Sequence, residues 1–148
     1  MVREANDLIE RIDLLFSSMM GRFLSIPAKQ PATDQCTMAR MRVLLILGHR
    51  GPATPSELAR ILGISNPTST ELAAELVRDG FVRREPSDLD RRQVILTLRP
   101  RGRGLLAKFA RSRREKFARL LRVVDPADAR RLAGALEVVN EVLAKGAR

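Results

Sequence analysis

From Ala5 to Leu24, apolar residues recur at Leu8, Ile12, Leu15, Met19 and Phe23, spaced by four and three, which predicts an amphipathic helix. Ser25 to Cys36 contains Pro27, Gln30 and Pro31 with little periodicity and reads as a linker. Thr37 is the predicted N-cap of a second helix reaching about Gly48, apolar at Met41, Leu44, Leu45 and Leu47. Gly51 and Pro52 then break the chain. The next start signal is stronger. Thr54 can cap, Pro55 occupies a first position where its missing N–H costs nothing, and Glu57 completes a capping box. Leu58, Ala59 and Leu62 form the inner face of this helix, and Gly63 ends it. After Ile64, Ser65 can cap a helix reaching about Arg78, with Leu72, Ala73 and Leu76 buried and Gly80 as the stop.

Beyond Gly80 the period shortens from a helical one to two. Phe81 to Glu85 is β-prone, Pro86 to Arg92 is polar and turn-rich, and Val94, Leu96 and Leu98 alternate with Ile95 and Thr97. This pattern predicts a β-hairpin with a long charged tip. Helix returns from Arg101 to Val124, apolar at Leu105, Leu106, Phe109, Phe117, Leu120 and Leu121. Asp125 and Pro126 open a last helix carrying Leu132, Leu136, Val139 and Leu143. The fold class is therefore mainly α with a small β-hairpin, on a length of 148 residues that suits a single domain over 1–148.

Two short helices joined by the tight turn Gly63-Ile64-Ser65 make a helix-turn-helix. Ala59, four residues before Gly63, is small enough to let the helices cross closely. The second helix can lie in a major groove and present Asn66, Thr68, Ser69 and Thr70 to base edges or phosphates. The competing reading is that Ser65, Asn66 and Thr68 merely cap their own helix; capping is preferred for Ser65, and DNA contact for Asn66 and Thr70. The hairpin tip, Asp88-Leu89-Asp90-Arg91-Arg92, carries two guanidinium groups on a projecting arm, suited to a narrow minor groove. Asp90 could pair with a neighbouring Arg and fix the loop. In isolation the same tip would be a solvated charged turn.

Charge changes this picture by its placement. The formal net charge is +10, and the segment Arg78 to Arg122 holds 15 Lys and Arg against 5 Asp and Glu. The rest of the chain is balanced, so the whole surplus lies in the C-terminal half. Such a localised basic field is the footprint of a polyanion binder. Most of the bases are Arg, which a GC-rich genome would also produce.

Enzyme chemistry finds little support. One His and one Cys, Cys36 and His49, build neither a catalytic triad nor a metal cluster, and no glycine-rich phosphate loop occurs. No catalytic residue, metal or cofactor is expected. No apolar run approaches the roughly 20 residues of a membrane span. Glu4, Asp7, Glu10 and Asp13 among the first apolar residues argue against a signal peptide, so the expected place is the cytoplasm. The lone Cys36 fits a reducing compartment. It stands before a helix start with no basic neighbour in sequence, so an inert thiol is preferred over an oxidation sensor.

The words CTMARMRVLLILGHRGPATPSELARILGIS, ELVRDGFVRRE and DLDRRQVILTLRPRG, with Gly102 twelve positions after Asp90, make the stretch Thr37 to Gly102 resemble the MarR family (multiple-antibiotic-resistance regulators). The resemblance extends over both flanks and implies a winged helix-turn-helix over 37–99, flanked by dimerisation helices at 5–24 and 101–146. It places Ser65, Asn66, Thr68 and Thr70 at the major groove and Arg92 in the minor groove. It implies a cytoplasmic homodimer on duplex DNA at an inverted-repeat operator, acting as a repressor. It also implies regulation by a small aromatic or anionic effector, for which Arg22, Arg40, His49 and Arg113 are candidate partners. Departures from the family pattern are Glu71 and Glu75 where bases are common, Pro67 in the first turn, and Arg99 in place of a capping Thr. Glu71 repels phosphate but could accept a hydrogen bond from cytosine. The competing reading is an architectural protein that binds any duplex equally.

Overall fold

A computed structural model describes residues 2–27 and 36–146 of the chain. The bulk of the linker expected before Cys36, residues 28–35, lies outside the described residues. Six α-helices and one antiparallel hairpin follow in the order α1 (Val2–Ser25), α2 (Met38–Arg50), α3 (Pro55–Leu62), α4 (Asn66–Arg78), β1 (Val82–Pro86), β2 (Val94–Leu98), α5 (Pro100–Leu121) and α6 (Pro126–Gly146). The described residues fall into two compact units. One runs from Cys36 to Ser112, and the other combines α1 with the chain from Arg113 onward.

The expected helix starts hold in detail. Thr37 accepts a hydrogen bond from the Arg40 N–H, and Thr54 and Glu57 form a reciprocal capping box with Pro55 in the first turn. Ser65 accepts from the Thr68 N–H. Gly63 ends α3 at φ +66°, a left-handed conformation that disfavours any side chain with a Cβ, and the following Ile64 N–H bonds back to the Ala59 carbonyl. That single residue turns the chain from α3 into α4.

The hairpin aligns Val82 with Leu98, Arg84 with Leu96 and Pro86 with Val94. Ala53 adds a one-residue third strand, exchanging both backbone hydrogen bonds with Leu96 at 3.3 and 2.8 Å. Val43 and Leu44 of α2, Leu58 of α3, Leu76 of α4, Phe81 at the α4–β1 junction, Val82 of β1 and Leu96 of β2 are fully buried in this unit. Each contributes on the order of 1.5–3 kcal/mol by leaving water. Gly102 is a packing requirement: a Cβ there would stand 2.4 Å from the Phe81 carbonyl oxygen. The same oxygen accepts from the Arg99 N–H at 2.9 Å. The start of α5 is thus anchored through backbone contact on Phe81, with Arg99 supplying no side-chain cap.

In the second unit, Phe23 of α1 and Phe117 of α5 pack with ring centroids 4.9 Å apart and their planes tilted by 43°. Lys116 is buried beside them and donates to the Phe23 and Leu24 carbonyls at 3.3 and 3.1 Å, capping the C-terminal end of α1 with a cation. The apolar stripes of α1 and α6 are largely uncovered: Ile12, Leu15, Val139 and Leu143 are all more than half exposed or close to it, and α6 has no buried residue. No helix among the described residues is long and apolar enough to cross a membrane.

Candidate nucleic-acid interface

The interface candidate is built on α4 and the hairpin, both within the unit that ends at Ser112. Helix α4 is held at three points along its length. Near its start, the Ser69 hydroxyl donates to the Pro55 carbonyl at 2.6 Å, tying α4 to the first turn of α3. In the middle, Ala73 and Leu76 enter the core. At its end, Arg40 of α2 reaches across to Asp79 through a hydrogen-bonded ion pair and lies 3.8 Å from Glu75, with its guanidinium 5.7 Å from the Phe81 ring centroid. The Arg40 hydrogen bond holds the Asp79 carboxyl below the usual carboxylate range.

Two sequence expectations are corrected here. Ser69 was expected to face DNA, but its side chain is buried and its hydroxyl is engaged inside the protein. Its spacing to Leu72, Ala73 and Leu76 is three, four and seven, so it belongs to the buried stripe of α4. Arg40 was expected among effector partners, but it is buried and occupied by Asp79 and Glu75. It too stands on a buried stripe, with Leu44 and Leu47.

The remaining α4 candidates are exposed. Ser65 caps the helix, and its hydroxyl also meets the Thr68 hydroxyl at 2.7 Å, so these two side chains satisfy each other. Asn66 and Thr70 are exposed and have no side-chain hydrogen bond among the described residues. Thr70 borders a cleft of about 390 Å³ that it shares with Thr54, Pro55 and Ser56 at the start of α3 and Gln93 and Val94 of the hairpin. The structure therefore brings helix and hairpin to one polar cleft. Ser56 and Gln93 were not singled out from sequence. The only available signal was the position of Ser56 in a helix's first turn, where N–H groups are unpaired.

At the hairpin tip, Arg91 and Arg92 are exposed and their guanidinium groups form no ion pair among the described residues. Asp90 shapes the turn in an unexpected way. Its carboxylate accepts from the Arg92 backbone N–H at 3.0 Å rather than pairing with an Arg side chain, while its carbonyl accepts from the Gln93 N–H at 2.9 Å. Both guanidinium groups are left free. At the base of the hairpin, Arg83, Thr97 and Glu85 are linked across the strands by contacts of 2.8 to 3.1 Å, which stiffens the arm.

The effector candidates do not form one cluster. Arg22 and Arg113 line the same hollow of about 690 Å³, with Leu15, Met19, Phe23 and Phe117. His49 lies exposed in the last turn of α2, in the other unit. Cys36 is buried, and burial pushes its thiol up in spite of the lowering influence of nearby Arg40. Structure thus gives Cys36 the basic neighbour that adjacent sequence lacked, but burial outweighs it.

An exposed polar helix cradled by α3 and followed by a stiff, arginine-tipped hairpin defines the winged helix-turn-helix class. The sequence model of the MarR family matches residues 36–94, so this region is similar to the winged helix-turn-helix of that family. Among curated relatives, the chain is 27% identical over 107 residues to an uncharacterised HTH-type transcriptional regulator, YfiV, of Bacillus subtilis, covering 72% of this chain and 67% of the relative. It is 32% identical over 85 residues to the uncharacterised HTH-type regulator Mb0904 of Mycobacterium bovis, covering 57% and 59%. Among solved structures, Rv1404 from Mycobacterium tuberculosis superposes with a TM-score of 0.76 at 26% identity, covering 92% of each chain. Streptococcus pneumoniae FabT, solved in complex with DNA, shares the fold with a TM-score of 0.67 at 21% identity, covering 93% and 98%.

Proposed function

We propose that this chain is a homodimeric repressor that recognises an inverted-repeat operator, with α4 in the major groove and Arg91 and Arg92 at the minor groove. The observation that carries this reading is the pairing of a firmly anchored α4, open at Asn66 and Thr70, with a stiff hairpin whose two tip guanidinium groups are free. Free guanidinium groups suit the focused negative potential of a narrow minor groove. The uncovered apolar stripes of α1 and α6 support a second copy as partner, and two-fold symmetry would repeat the half-site about one DNA turn away. The hollow lined by Arg22 and Arg113 supports a small aromatic or anionic effector, which would act by favouring one spacing of the two readers.

Fluorescence anisotropy on the gene's own upstream duplex and a scrambled copy tests this. A preference of about a thousandfold or more at near-physiological salt is expected. Arg92→Ala should weaken binding to both duplexes and lower the salt slope by about one. Equal binding to own, scrambled and random-library duplexes would instead establish the architectural reading, which the concentrated basic charge favours.

A further inference from the structure

Along α4, Pro67, Thr70, Glu71, Ala74 and Arg78 recur at helical spacing and are all exposed, forming the face opposite Ser69, Ala73 and Leu76. Few of the helix's polar side chains are free to recognise anything. Ser65 and Thr68 satisfy each other, Ser69 is bound to the Pro55 carbonyl, and Pro67 and Ala74 have no hydrogen-bonding side chain. In the first two turns that leaves Asn66, Thr70 and Glu71.

The acids of this helix differ from one another. Glu75 and the capping Asp79 both face Arg40, whereas Glu71 has no ion-pair partner among the described residues. An unpaired carboxylate in the middle of the outward face would be repelled by phosphates wherever it meets the DNA backbone. Only a hydrogen-bond donor on a base edge offsets this. The major groove has two such donors, the N4 amine of cytosine and the N6 amine of adenine. Adenine sets its donor beside the N7 acceptor, which opposes a carboxylate, while cytosine presents its donor without an acceptor on the same base edge.

We infer that Glu71 is a specificity-determining residue that selects a cytosine within each operator half-site and penalises other bases there. This rests on the reading of α4 as the major-groove helix. Glu71 thereby converts an electrostatic cost that all duplexes share into discrimination against those lacking the cytosine.

The test is selection from a random duplex library with the wild-type chain, Glu71→Gln and Glu71→Ala, followed by anisotropy on single-base variants of the selected site. The wild type is expected to require a C·G pair at one position of each half-site, with a discrimination of about tenfold or more. Glu71→Gln should shift that position towards adenine, whose N6 and N7 a glutamine amide can bind together. Glu71→Ala should accept any base pair there, and both variants should keep every other position of the consensus, which also shows that they fold. The inference is overturned if both variants keep the same cytosine, or if both bind all sequences more tightly by one common factor. A wild-type chain that selects no consensus at all would overturn the regulator reading itself, and this inference with it.

Discussion

The two compact units handle their apolar residues in opposite ways. Between Cys36 and Ser112, leucines from α2, α3, α4 and β2 reach zero exposure around Phe81, and the surface left over is polar and basic. In the unit of α1, α6 and the end of α5, the amphipathic pattern is just as regular, yet Ile12 is 58% and Leu143 65% exposed. Equal periodicity has produced a closed core in one case and an open face in the other. The difference is the number of elements available to cover a stripe. The first unit surrounds its centre with helices and a hairpin, while α6 finds no neighbour that buries any of its residues. An amphipathic helix left open in this way gains by associating with another apolar surface, and exposed patches of this kind mark interaction sites.

The comparison breaks most visibly if the open face is charged. Val139→Asp in α6 should convert the proposed dimer to a monomer by sedimentation equilibrium. It should also weaken binding to a full inverted repeat by about a hundredfold, because the second half-site loses its effective concentration. The reader unit should remain folded. A dimeric Val139→Asp chain with unchanged affinity would show that the exposed stripe is not the interface.

A closed core should be sensitive where it is tight and tolerant where it is open. Gly102→Ala forces a Cβ against the Phe81 carbonyl and should destabilise by about 1–3 kcal/mol in urea unfolding. Gly104→Ala, two positions along the same helix with no atom within 4 Å of its Cβ, should instead stabilise by about 0.5–1 kcal/mol. Equal effects at the two sites would mean that α5 does not rest on Phe81.

The smallest expected effect sharpens the role of Arg40. Because Arg40 lowers the Asp79 pKa in the folded state, their interaction stabilises the protein above the unfolded value of about 4 and is lost as pH falls through the folded value below it. Urea midpoints measured from pH 6 down to 2 should therefore drop in the wild type, and Arg40→Met should flatten part of that drop while keeping an apolar stem over Phe81. An unchanged pH profile in Arg40→Met would remove the ion pair from the anchoring of α4.

Much of the fold was legible because its signals are local. The capping box of Thr54 and Glu57, Gly63 in its left-handed turn, and the alternation Val94, Leu96, Leu98 each depend on residues a few positions apart. Ser69 and Arg40 depart from expectation for one shared reason: both are polar residues that sit on buried helical stripes. Ser69 can be buried because the Pro55 carbonyl accepts its proton, and Arg40 because Asp79 pairs with it from 39 positions away. Those partners are not visible in a window of one or two turns.

By itself, then, the amino-acid order determined the helices, their ends, the hairpin and the concentration of positive charge between Arg78 and Arg122, since propensity, capping and periodicity act over a few residues. Tertiary structure alone decided which polar groups are spent and which are free. Packing α2 against the end of α4 engaged Glu75 and Asp79 but not Glu71, packing α3 against its start withdrew Ser69, and pairing Ala53 with Leu96 secured the hairpin. A hydrogen bond or ion pair needs its partner within about 3 to 4 Å, and that proximity exists only after the chain has folded.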